Sequence, residues 1–453
     1  MDRKRIIGWW MFDWASQPYY TLGLTFIFGP YFASVAAESF MAGGLSEIEA
    51  DANAQSLWSL GQTITGLLIA LTAPVLGAFA DHAGRRMPWI VLFSLFYVGG
   101  AAGLWFVMPD GSNLVYALMV FGIGLIGAEF TTIFTNALLP DMGPREETGK
   151  LSGTGFAIGY VGGVTALFIM LLFFAEGDSG RTLLGWAPAF GLDPEALEGT
   201  RFVGPFMAIW YIVAMIPFFL WVREAPGTRQ PGGASRALAN LVETLRTLPK
   251  RPSLFAYLGS SMFYRDALNA LYSFGGTYAA LVLNWPVRDI GIFGIIAAIA
   301  SAIATWLGGK IDSARGPKPV IIAMIVLLLA VATFIPGITP EAIWGISVPS
   351  AAPNIAFFIC GALIGAAGGV VQSSSRTLMV RHCEPDRPTE AFGLYALSGK
   401  ATAFLGPFLI FVATLAFGDA RFGVVPLIGL FALGLILLIW VNPQGRVGSE
   451  AAA

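Results

Sequence analysis

The chain has 453 residues, of which 56% are hydrophobic and only 12% charged, and its mean hydropathy is +0.71. A soluble domain averages about 25% charged residues, so this composition excludes one and makes lipid the solvent. A formal net charge of −2 gives no basis for a nucleic-acid partner, and two cysteines with two histidines are too few for a zinc or disulfide framework, so neither a metal nor another cofactor is expected.

The chain opens with Arg3, Lys4 and Arg5 ahead of an apolar run from Ile7 to Ala36. That run is too long for the apolar region of a cleaved signal peptide and contains Asp13, so it reads as a retained first transmembrane helix. Charge-free runs follow at Ser56–Ala80, Met87–Pro109, Leu151–Ala175, Phe202–Val222, Gly291–Gly309, Pro319–Pro340, Ala352–Ser375 and Phe422–Gly445. Three more runs carry embedded charge: Asn113–Leu139, Ser253–Leu283 and Ala391–Phe417. Each can cross a hydrocarbon core of about 30 Å, and none shows the alternation of a membrane β-barrel. The spans therefore read as twelve helices whose backbone groups pair internally. Glycine clusters such as Gly159 to Gly163 and Gly361 to Gly365 suit close helix packing.

With the N-terminus inside, twenty of the 26 Lys and Arg residues fall on the inner segments; Arg181, Arg201, Arg288 and Arg421 fall outside, and Arg265 and Lys400 lie within spans. This bias places both termini in the cytoplasm of a multi-pass inner-membrane protein. The longest inner loop, Arg223–Pro252, opens with a Pro/Gly-rich stretch from Ala225 to Ala234 and marks a boundary. It divides the chain into an N-terminal bundle 1–222, a linker 223–252, and a C-terminal bundle with a short tail, 253–453. Within the linker Leu238, Leu241, Val242, Leu245 and Leu248 recur at helical spacing. An amphipathic helix on the membrane surface and a solvated linker both accommodate that pattern.

After the second span comes Gly77-Ala78-Phe79-Ala80-Asp81-His82-Ala83-Gly84-Arg85-Arg86, and after the eighth a degenerate copy runs from Gly308 through Asp312 to Lys318. The first matches the G-x-x-x-D-x-x-G-[RK]-[RK] loop of major facilitators, and the repetition argues for two parallel six-helix repeats. Three further stretches resemble the branch of that superfamily containing the autophagy-related protein 22-like vacuolar amino-acid effluxers. They are Trp9-Trp10-Met11-Phe12-Asp13-Trp14-Ala15, the segments Asn136–Asp141 and Gly155–Gly163, and Gly368–Arg376 with Phe392–Tyr395 and Gly399-Lys400. Pro18 departs from the family pattern and is expected to kink the first helix.

The resemblance implies an all-α polytopic membrane protein with the major facilitator fold: twelve transmembrane helices in two pseudo-symmetric six-helix bundles. It implies a secondary transporter of small solutes such as amino acids. In that family the loop aspartate, here Asp81, faces the N-terminal end of helix eleven, whose partial positive charge favours an anion. The resemblance also directs Arg85 to an acid below helix four, for which Asp141 is the candidate. Gly77, Gly84, Arg86 and Asp312 complete the expected gate loop.

Ionisable residues inside a bilayer are costly unless paired or wet, so each is a functional candidate. Six are present: Asp13 on span one, Glu129 on four, Arg265 and Asp266 on seven, Arg376 at the inner end of ten and Lys400 on eleven. Spans one, four, seven and ten line the central cavity in the superfamily. Neighbouring helical residues point about 100° apart, so Arg265 and Asp266 must find partners on other helices, with Glu129–Arg265 and Asp266–Lys400 as structural alternatives. Asp13, Ser16 and Tyr19 echo Asp266, Asn269 and Tyr272 on symmetry-related spans. Asn136 and Gln372 with its serines add uncharged hydrogen-bonding groups, and Tyr20, Tyr264 and Tyr395 add aromatic ones.

Three acids balance three bases, which suits a zwitterion, or a neutral solute moving with a proton or sodium. A cation-coupled sugar symporter is the nearest alternative. A lipid-modifying membrane enzyme would need a catalytic constellation for which His382, Cys383 and Glu384 are the candidate, so no enzyme is expected. The expected partners are a small-molecule substrate and the lipid bilayer, with the protein acting as a monomer.

Overall fold

The computed structural model describes residues 2–177, 179–224, 233–285 and 287–445. Among these, eleven helical segments are long and apolar enough to cross a membrane. Spans one to six are Arg3–Ala42, Glu47–Ala83, Met87–Phe106, Leu114–Asp141, Arg145–Phe173 and Glu198–Trp221. Spans eight to twelve are Asp289–Arg315, Pro317–Gly337, Ala352–His382, Pro388–Phe417 and Ala420–Leu438. The seventh expected span is the 30-residue helix Pro252–Leu281, long enough to cross but more polar, with Arg265 and Asp266 at its middle. Eleven apolar helices thus stand against the expected twelve, and this more polar helix, called span seven below, occupies the place of the remaining one. The only strands among the described residues form a short hairpin after span nine, Ala342–Ile343 against Ile346–Ser347.

The linker forms a helix, Gly233–Thr247, with Ala237, Leu241 and Thr244 buried while Leu238, Val242 and Leu245 stay more than 40% exposed. The Pro/Gly-rich stretch before it falls, over 225–232, outside the described residues.

Two spans are interrupted. Span one is α-helical from Arg3 to Pro18, runs as a π-helix from Tyr19 to Phe26 and resumes at Phe28–Ala42. Pro18 donates no backbone hydrogen bond and the wider π turn takes over directly after it. Span eleven is helical over Pro388–Ala401 and again over Leu405–Phe417, with Thr402 at φ −117°, ψ 11° between them.

By contact the chain forms two compact units, Met1–Thr72 with Ala83–Thr135 and Ile158–Arg229, and Ala73–His82 with Asn136–Ala157 and Gln230–Ala453. In the first, the Tyr97 and Tyr211 rings stack 4.0 Å apart, Ser94 and Tyr211 share a hydrogen bond of 2.8 Å, and Trp14 stacks on Trp210 at 5.4 Å. The Trp9 indole donates to Thr135 O at 2.9 Å and the Tyr19 hydroxyl to Phe121 O at 2.6 Å.

The second unit joins spans seven to twelve and the linker helix to the end of span two and to the turn between spans four and five. Spans eight and ten lie close enough for Ser301 Oγ to donate to Gly365 O at 2.6 Å. Tyr257 of span seven donates to Ser375 O at 2.6 Å, and Ser260 to Gly434 O at 2.7 Å. These side-chain-to-backbone bonds tie helices together where apolar burial cannot, because lipid is as apolar as the core. Tyr257→Phe keeps the ring and deletes one of them. It is expected to cost about 1 kcal/mol, seen as a lower unfolding midpoint by circular dichroism of the detergent-solubilised protein.

Candidate functional site

Span two ends at Ala83, and Gly84 with φ 67° turns the chain out of the helix. One turn earlier Asp81 is buried, and its Oδ2 accepts the backbone N–H of Glu390 at 2.7 Å. Glu390 is the third residue of the helix Pro388–Ala401, so Asp81 takes an N–H that has no partner within that helix and lies at the positive end of its dipole. The two elements can approach because residue 77 has no side chain: a Cβ there would lie 2.6 Å from Thr389 O. Glu390, itself buried, lies beside Thr244 of the linker helix. Ala78, Asp81, His82, Ala237, Asn240, Arg387 and Glu390 enclose a cavity of about 10 Å³.

The motif copy after span eight builds a related joint. Asp312, also buried, lies over the start of span five, where a Cβ on Gly149 would come 2.6 Å from its carboxyl carbon. Lys150 N donates to Ser313 Oγ at 2.8 Å, and the Asp312 carboxylate meets Ser374 and Thr377 of span ten. Two aspartates at the ends of spans two and eight thus stand at the first turns of the helices of spans eleven and five.

Arg376 closes a third joint. Its Nε donates to Ser152 Oγ at 2.8 Å, Nη2 to Ser152 O at 2.8 Å and Nη1 to Asn136 Oδ1 at 3.1 Å, while its guanidinium covers the Phe156 ring at 4.3 Å. Arg376 and Asn136, two candidates for a solute site, are therefore brought together as a buried clasp between span ten and the turn joining spans four and five. Arg85 is exposed and belongs to a different compact unit from Asp141. Arg86 and Met87 both donate their backbone N–H to the Glu224 carboxylate, at 2.8 and 3.0 Å.

The remaining candidates separate. In the first unit Asp13 is half-buried, with its backbone against Gly159, and Glu129 lies near Tyr20. Arg265 donates to Tyr395 O at 3.0 Å and stacks over that tyrosine's ring, 4.2 Å from its centroid. Asp266, on the adjacent face, lies against Thr402 in the break of span eleven. Gln372 and Lys400 are half-buried. The echo between spans one and seven does not extend to environment. Ser16 and Tyr19 are buried whereas Asn269 and Tyr272 are exposed, and Asp266 is more deeply buried than Asp13.

His382, Cys383 and Glu384 face three ways. His382 Nε2 meets Ser253 Oγ at 2.8 Å, Cys383 Sγ donates to Val380 O, and Glu384 pairs with Arg251 at 2.7 Å. Glu390, Ser152, Glu224 and Thr402 are the participants that sequence reasoning missed. The first turn of span eleven after Pro388 was the available signal for Glu390; the others carry none.

Gly66 lies on the same helix as Gly77 with nothing within 4 Å of its Cβ position. Gly77→Ala is expected to lower the unfolding midpoint and disturb the latch, whereas Gly66→Ala leaves both unchanged. Thermal unfolding, with protease sensitivity of the Arg387 loop, checks the pair.

The family described as "Vacuole effluxer Atg22 like" matches residues 1–449. An uncharacterized MFS-type transporter of Bacillus subtilis, YxiO, is 24% identical over 444 residues, which cover 97% of this chain and 95% of that one. Autophagy-related protein 22 of Coccidioides immitis is 24% identical over 67% of this chain, and the match spans 50% of the fungal protein's length. Among solved structures, the proton:xylose symporter XylE superposes with a TM-score of 0.67 at 13% identity, covering 96% of this chain and 93% of that one. The human organic anion transporter MFSD10 superposes at 0.64 with 17% identity, covering 96% and 99%. At such identities the structures speak for the fold, and the fold is that of the major facilitators. On the match over nearly its whole length, the chain belongs to the vacuole effluxer Atg22-like family of membrane transporters.

Proposed function

We propose that this protein is a secondary transporter that carries small zwitterionic solutes, amino acids foremost, by alternating access, exposing its site to one face of the membrane at a time. The observation that carries the reading is the presence of ionisable residues of both signs among those assigned to the path, Asp13 and Glu129 as acids and Lys400 as base. Groups of both signs along a solute path can meet an ammonium and a carboxylate alike, which groups of one sign cannot. The family's description as effluxers, and the amino-acid substrates implied by the resemblance to its fungal members, support the same class.

In this reading the two six-helix bundles are 1–222 and 253–453 and the segment between them is the linker. The Lys/Arg bias orients both termini to the cytoplasm of an inner membrane, and the joints at Asp81, Asp312 and Arg376 act on the cytoplasmic side as a gate. Asp13, Ser16, Tyr19, Glu129, Asn269, Gln372 and Lys400 are the residues assigned to the solute path. The protein acts as a monomer and catalyses no covalent chemistry.

The test is accumulation of labelled solutes by proteoliposomes holding the purified protein, with neutral amino acids and sugars compared with and without a pH gradient. Uptake of an amino acid well above empty liposomes is expected. Uptake of sugars alone, or of neither class, overturns the substrate assignment.

A further inference from the structure

Irregular backbone at membrane depth survives only where protein or an aqueous cavity satisfies it, and in transporters it marks the sites of coupled ions. Span eleven is interrupted at the midpoint of Pro388–Phe417, where Thr402 leaves helical geometry before the helix restarts at Leu405. Asp266 falls at the midpoint of Pro252–Leu281. The two meet: the Asp266 carboxylate lies against Thr402, and the restarted helix comes so near that a Cβ on Gly406 would lie 3.2 Å from Asp266 O.

A second observation is independent of the break. Asp266 is 2% exposed, its Oδ2 is buried without a hydrogen-bond partner, and the Thr402 hydroxyl is buried and unpartnered as well. A buried carboxylate with an open acceptor is disfavoured as an anion, whereas a proton on that oxygen removes the charge and creates an O–H donor.

A divalent cation fits poorly. Hard divalent cations take about six or more oxygens, and among the described residues no group of three His, Cys, Asp or Glu could hold a metal. A solute ammonium is excluded by the burial of Asp266.

The charge acting on Asp266 is Arg265 of its own helix, which turns to Tyr395. Of the elements packed against that helix, span eleven brings Tyr395 and Lys400, and span ten brings Arg376, already clasped by Ser152 and Asn136. Leu405–Phe417 and Val425–Leu438 bring no ionisable group. Arg421 acts on Tyr278, toward the far end of the helix.

We propose that Asp266 is the proton-binding site of the transport cycle, with its protonation coupled through Thr402 to the break in span eleven. One proton from water on one face converts the carboxylate to the neutral acid and leaves as a proton to water on the other; no electron moves. The inference rests on the transporter reading and names its coupling ion.

The test needs no solute. Full-length protein in lipid nanodiscs is followed by infrared spectroscopy across a pH series, reading the C=O stretch of protonated carboxyls in the wild type, Asp266→Asn, Asp266→Glu and Thr402→Val. A titrating band present in the wild type and in Asp266→Glu, and missing from Asp266→Asn, is expected. In Thr402→Val its midpoint moves up by about half a pH unit or more, because the ionised form loses the neighbouring hydroxyl that can turn to it. Identical band sets in the wild type and Asp266→Asn overturn the proposal. If Asp266→Asn does not fold, unmoved midpoints in both other variants overturn it equally. A protein that titrates as expected yet carries no amino acid refutes the substrate reading alone.

Discussion

A helix in hydrocarbon consumes its own backbone hydrogen bonds everywhere except at its ends, and those ends are where this protein is fastened. Asp81 occupies the first turn of span eleven, Asp312 lies over the first turn of span five, and Arg376 reaches the backbone of Ser152 just inside span five. Between helices there is no hydrophobic driving force, so these polar caps and the tyrosine-to-carbonyl bonds of span seven carry the specificity of packing. The glycines at 77 and 149 are the geometric condition for the first two joints.

The spans themselves were legible because length and apolarity are the signals a membrane helix cannot hide, and the runs read from the sequence correspond to the helices found. The polar seventh helix was legible by position rather than by composition. Which face of each helix is buried was not legible, since a chain apolar all round carries no amphipathic period. For that reason the aligned triplets on spans one and seven, alike in residue type, differ in burial: Tyr19 is enclosed and Tyr272 is exposed. Thr402 and Ser152 gave no warning either, because a hydroxyl in a membrane helix usually bonds its own preceding turn, as Thr131 and Thr132 do.

The architecture is shared widely and the cargo is not. The proton:xylose symporter and the organic anion transporter share one arrangement of helices. Function in such a fold belongs to a few side chains grafted on it, which makes the intramembrane acids and bases a better guide here than any superposition. Among the residues singled out from the sequence, Asp81, Asp312 and Arg376 hold helix ends together.

Arg376 belongs to that group, and its chemistry constrains how the protein can move. Its guanidinium directs three donors at Ser152 and Asn136, so the clasp on them does not open by losing one bond alone. It can only be traded, bond for bond, for water or another acceptor. Any release of it is therefore a hydration event, in which water must reach a buried guanidinium before its partners can part from it.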